Sequence, residues 1–139
     1  MKDAVFLTSP DLLEQHWEAV AHLIDPAVQR LARGEWTTAD LADLVHSGRA
    51  IAVLVLEDAV PFLAMVFEFR HYPRRTSLNV MALAGSDLAG AAVSFWPGFV
   101  AWAKESGATQ IEACAGVAMT RVLQGLGFGH EYNLLRIEV

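Results

Sequence analysis

One carboxylate interrupts an otherwise apolar run in "VPFLAMVFEFR", residues 60–70, where Glu68 breaks the face that Phe62, Ala64 and Val66 share at a spacing of two. A carboxylate half-buried at the end of such a strand is placed to take a proton from a reacting group as a general base. The plainer reading is a strand end emerging into water, or an ion pair with Arg70 or Arg74. A second stretch that could do chemistry is "GSDLAGAA", residues 85–92, between a strand-like run and an apolar helical run. Free N–H groups at a helix N-terminus bind anions, and small residues let a phosphate approach the backbone. The same Asp87 serves equally well as an N-cap, accepting from the N–H groups two and three residues on.

Other reactive residue types lack partners. Cys114 is the single cysteine and no His or Asp is placed by motif to activate it, so it reads as a buried strand residue. The five histidines have no metal-ligand spacing, and no metal site is expected. Arg70, His71, Arg74 and Arg75 form a basic cluster around a turn, one strand's length from "GSDLAGAA", and read as a solvated hairpin tip. Gly125, Gly127 and Gly129 follow a helix and precede a strand, the reverse of a dinucleotide fingerprint.

The elements that must position these residues follow from periodicity. Ala4 to Thr8 predicts a strand, and Ser9-Pro10 starts a helix whose Leu13, Trp17, Val20 and Ile24 recur at helical spacing. Asp25-Pro26 predicts a bend or a split in it. Thr37 or Thr38 caps a short helix through Val45 that Ser47-Gly48 closes. The runs 49–56, 60–71 and 76–83 are rich in β-branched and aromatic residues, are separated by "EDA" and "YPRR", and predict an antiparallel meander. A helix to about Ser106 follows, then the strand "TQIEACAG", a helix from Val117 to Gly125, and a last strand from His130 to Val139. The order is β-α-α-β-β-β-α-β-α-β, a mixed α/β class.

The chain of 139 residues has the length of one domain spanning residues 1–139, and its 54% apolar content excludes disorder. That content is high for a small monomer, and aromatic runs such as "SFWPGFVAW" lead us to expect a homo-oligomer. A net charge of −6 argues against nucleic acid as a partner. The uncharged 16 residues from Leu88 to Ala103 contain Pro97 and Gly98 and fall short of the roughly 20 that a membrane-spanning helix needs. No membrane is expected as a partner, and the N-terminus, without a long apolar core, points to the cytoplasm.

The element order, with "GSDLAGAA" after the fourth strand and "RVLQGLGF" near the C-terminus, resembles the GCN5-related N-acetyltransferase (GNAT) superfamily over nearly the whole chain. The resemblance implies an acyl-CoA whose pyrophosphate is held by a loop of the form Q/R-x-x-G-x-G/A. Here that frame is Asp87, Leu88, Ala89, Gly90, Ala91 and Ala92, with Asp in place of Gln or Arg. It further implies that the backbone of Met81, Ala82 and Leu83 aligns the pantetheine and polarises the thioester carbonyl. By the same resemblance Glu68 is the base and Tyr132, on the last strand, a replacement acid. The family's later motif, roughly N-x-x-A-x-x-L-Y-x-x-x-G-F, aligned on Gly127-Phe128, sets Gly116 at its Asn, Met119 at its Ala and Leu123 at its Tyr. The expected activity is transfer of acetyl from acetyl-CoA to an amine acceptor that the sequence does not specify. The alternative is a GNAT-like scaffold without turnover. Arg121-Val122-Leu123 before a glycine is similar to a helix in the short internal virion proteins of short-tailed bacteriophages, so a virion or assembly component is the form that alternative takes.

Overall fold

A computed structural model describes residues 2–31 and 34–139, the side chains of residues 31, 91 and 92 excepted. In chain order the elements are β1 (Lys2–Phe6), α1 (Pro10–Leu31), α2 (Thr38–His46), β2 (Ile51–Glu57), β3 (Val60–His71), β4 (Thr76–Gly85), α3 (Leu88–Glu105), β5 (Gln110–Ala113) and α4 (Val117–Gly125). The sheet runs β1-β2-β3-β4-β5. Its first three pairings are antiparallel and the last is parallel, because α3 is the crossover that returns the chain to start β5 in the direction of β4.

The meander is closed by short turns. Asp58 and Ala59 both have positive φ, 51° and 64°, between the paired Glu57 and Val60, which is the two-residue hairpin geometry that matches strand twist. The β3–β4 connection is closed by Tyr72 N–H donating to Arg75 O at 2.8 Å, with the arginine cluster around it.

Strand alternation divides the core in two. Ala64 and Val66 of β3 face α1 and α2, while Leu63, Met65 and Phe67 face α3. Val20, Ile24 and Leu41 are fully buried on the first side, and Phe99 is 1% exposed on the second, edge-on to Phe67, tilted against Trp96 and stacked on Trp102. Thr37 caps α2 with a reciprocal capping box, Thr37 Oγ1 accepting from Asp40 N–H and Asp40 accepting from Thr37 N–H.

Two expectations are corrected. The helix expected to bend or split at Asp25-Pro26 is not split and runs on to Leu31. Pro26 deprives only the His22 carbonyl of its i+4 donor, and both residues are on the exposed side, where water serves instead. Ala27 and Val28 are buried immediately beyond, which holds the last turns in place. The expected last strand, His130 to Val139, is not formed, and the residues after Gly127 carry no regular secondary structure. Leu135 and Ile137 are each 88% exposed. Alternation marks a segment able to pair, but a strand needs a neighbour's ladder of hydrogen bonds, and the tail does not meet the outer edge of β5.

Candidate active site

β4 carries one residue more than β3 can match. Phe67 pairs with Val80 and Val66 with Ala82, so Met81 is a bulge. A bulge bends its strand and increases the local twist, and β4 parts from β5 at that point: their ladder covers Ser77 to Val80 against Gln110 to Ala113 and ends there. Backbone groups of Met81, Ala82 and Leu83 on the β5 side are therefore left for another partner. A small cavity of about 30 Å³ lies in the fork, bordered by Met81, Leu83, Ala113, Cys114, Met119 and Leu123. Cys114 is exposed just past the end of β5, which corrects its reading as a buried strand residue: the strand stops one residue before it.

At its far end β4 leads into the loop before α3. Gly85 stands where a Cβ would lie 2.4 Å from Phe62 O, so only glycine allows β3 and β4 to approach there. Ser86 N–H donates to that same Phe62 carbonyl at 3.0 Å. Asp87 then adopts φ 44° and ψ 57° and makes no side-chain cap bond, which corrects its expected N-cap role. A capping side chain needs extended backbone, as at Thr37 with φ −121° and ψ 171°; the left-handed turn at Asp87 aims its carboxylate elsewhere. It leans over Gly90, where a Cβ would come within 2.6 Å of Oδ2. The free N–H groups of the first turn of α3 remain without a side-chain cap.

Below the fork, a polar row crosses three strands. Glu68 on β3 pairs in register with Asn79 on β4, and Asn79 with Glu112 on β5, one residue before the last β4–β5 pair. Asn79 is 8% exposed and donates Nδ2–H to Glu68 Oε2 at 3.0 Å. Arg70 Nε lies 3.4 Å from the same oxygen, and Tyr72 O–H donates to Glu112 Oε1 at 2.8 Å. Partial burial works against the Arg70 charge, but its hydrogen bond with Tyr72 and the charges of Glu68 and Glu112 outweigh this and raise its pKa above the ordinary value. Sequence reasoning found Glu68 and Arg70 but missed Asn79 and Glu112. The available signal was a carboxylate between Ile111 and Ala113 in a short apolar strand.

The structure brings Met81, Ala82 and Leu83 together with Met119 and Leu123 of the later motif around the fork, whereas Glu68 stands in the polar row and does not border that cavity. Leu123, at the family's Tyr position, is 5% exposed and borders the fork, and Met119 borders it too. Tyr132 is not brought there: it is 86% exposed on the unpaired tail, where its carbonyl accepts from the His130 ring at 2.9 Å. Arg75 donates to Gln110 Oε1 at 3.0 Å at the opposite end of β4 from the loop, in the solvated tip expected of the cluster. Among the described residues no group of three His, Cys, Asp or Glu could hold a metal ion, and no helix is long and apolar enough to cross a membrane.

A bulged β4 that parts from a parallel β5 and leads through a small-residue loop into a helix is a fold that comparison with solved structures finds in acetyltransferases. A ribosomal-protein-alanine N-acetyltransferase from Brucella melitensis biovar Abortus superposes at TM-score 0.74 with 14% identity, covering 100% of this chain and 99% of that one. A GCN5-related N-acetyltransferase from Ralstonia eutropha gives 0.74 with 12% identity and 99% of each chain. A predicted acetyltransferase with acetyl-CoA from Clostridium acetobutylicum gives 0.68 with 13% identity, covering 99% and 96%. No family model matches the chain, and no curated protein matches its sequence. The chain has the GNAT acetyltransferase fold, a mixed α+β domain around a five-stranded sheet.

Proposed function

We propose that this chain is an acyl-CoA-dependent N-acetyltransferase. The observation that carries the reading is the fork: the Met81 bulge ends the β4–β5 ladder at Val80 and leaves β4 backbone free beside an apolar cavity. Pantetheine amides fit such a strand edge, and the apolar cavity beside it suits a small acyl group. The loop fits the phosphates in its backbone, since the first turn of α3 carries no side-chain cap on its N–H groups. It fits them less well in its charge, because of Asp87.

Bound acetyl-CoA would supply a thioester whose carbonyl carbon is open to attack by an amine. Glu68, held by Asn79 and Arg70, takes the proton from the acceptor ammonium, and the amine lone pair forms the new C–N bond as the C–S bond breaks. A main-chain N–H of the 81–83 stretch steadies the oxygen that gains charge; such a donor is typically worth about 2.7 to 4 kcal/mol of barrier. The thiolate takes its proton from water, since Leu123 has none to give. The second carboxylate of the row, Glu112, adds to the attraction for a cationic acceptor.

Isothermal titration with acetyl-CoA tests the reading. Saturable binding of one equivalent supports it. No binding at millimolar ligand would leave the fold serving a scaffold without turnover, the reading to which the apolar Gly116 and Leu123 positions belong.

A further inference from the structure

Between α1 and the end of β4 lies a second cavity of about 330 Å³, bordered by His22, Pro26, Arg30, Ala84, Gly85 and Ser86. It adjoins the fork, since Ala27 borders both cavities and Leu83 of the fork is followed by Ala84 here. The two charged or titratable residues that border it are both bases, and no carboxylate does. Of the acids adjacent in sequence to its lining, Asp25 accepts from Gln29 Nε2 and Thr38 Oγ1, and Asp87 leans over Gly90. Arg30 makes no ion pair among the described residues.

A chain with net charge −6 repels a polyanion unless cations stand where the phosphates arrive. Four of the other described cations are engaged or distant. Lys2 donates to Ser94 Oγ at 3.2 Å and sits 5.1 Å from the Phe62 ring centroid. Arg70, Arg74 and Arg75 flank the other end of β4, whose 10 residues at about 3.3 Å each separate them from the loop. Arg30, with its planar fork of donors, suits phosphate oxygens in a way the Asp87 loop cannot.

We infer that this cavity is a phosphate subsite in which Arg30, with His22 and the Ser86 hydroxyl beside it, holds a phosphate group of the acyl-CoA. The inference rests on the acyl-CoA reading above. It assigns to α1 the positive charge that the loop lacks.

The test compares the full chain with Arg30→Gln, an exposed position whose change spares the core. Acetyl-CoA should bind the variant at least about fivefold more weakly, while S-acetyl-pantetheine, which has the thioester but no nucleotide, should bind both forms equally. Unchanged acetyl-CoA affinity overturns the subsite but leaves the acyl-CoA reading standing, even if the KM of a carboxylate-bearing amine rises. If the natural chain binds neither thioester, the acyl-CoA reading fails, and inorganic pyrophosphate followed by NMR at the Arg30 Nε–H decides the subsite. A saturable shift there supports a phosphate site, and no shift overturns it.

Discussion

The Asp87 carboxylate folds back over Gly90, so close that a methyl group there would stand 2.6 Å from Oδ2. The side chain thus occupies the approach to the first turn of α3 without making a cap bond. Removing its charge while keeping a residue that tolerates the left-handed turn should separate affinity from stability. Asp87→Asn should tighten acetyl-CoA binding by about tenfold, since two unit charges 4 Å apart repel by about 1 to 4 kcal/mol between water and a protein surface. Its unfolding free energy should stay within about 0.5 kcal/mol of the natural chain, because no cap is lost. Calorimetry and urea denaturation on both forms read the two effects; a large stability loss with unchanged affinity would show that the carboxylate is structural.

Glu68→Gln should lower kcat by about 100-fold or more and change the pH profile, because the group that accepts the acceptor's proton is lost. Asn79→Ala should reduce kcat less, since it removes only the group that orients Glu68. Steady-state kinetics across pH on the two variants checks both. A Gln variant with an unaltered profile removes Glu68 from proton transfer.

Ala59 sits at φ 64° in the β2–β3 turn, a conformation that costs a residue with a Cβ roughly 1 to 2 kcal/mol. Ala59→Gly should therefore stabilise the chain by about 1 kcal/mol and raise Tm by roughly 2 to 4 °C. Differential scanning calorimetry measures it, and a lower Tm would mean that the turn relaxes differently.

Gly85→Ala should have the opposite effect. Its Cβ would meet the Phe62 carbonyl at 2.4 Å, a backbone atom that cannot swing away, so β3 and β4 must separate next to the loop. We expect a loss of about 1 to 3 kcal/mol, together with weaker acetyl-CoA binding. Chemical denaturation that returns natural stability would place the strands farther apart than the structure has them.

The tail after Gly127 exposes Tyr132, Leu134, Leu135 and Ile137, the last two at 88%. Burying this apolar set between copies is the expected source of self-association. Light scattering at tens of micromolar should show the full chain larger than a monomer, and a chain ending at Gly129 monomeric. A monomeric full chain contradicts this.

Much of the architecture was legible locally. The meander, the helix Val117–Gly125 and the capped helix at Thr37 each follow from signals within a few residues: alternation, turn chemistry, a cap. So was the strand-to-helix junction between Gly85 and Leu88, because small residues between a strand and a helix are a local pattern. Only the tertiary structure decided the site itself. The bulge at Met81 exists because β4 is one residue too long for β3 over that stretch, a property of two strands together, and it is the bulge that opens the fork. Glu68 and Glu112, the extremes of the row that Asn79 joins, lie 44 residues apart and become neighbours only through registers across β3, β4 and β5. The fate of Asp87 and of the segment from His130 to Val139 was likewise beyond a local reading. A cap depends on the backbone angle that the neighbouring strand imposes, and a strand depends on a ladder that another segment must offer.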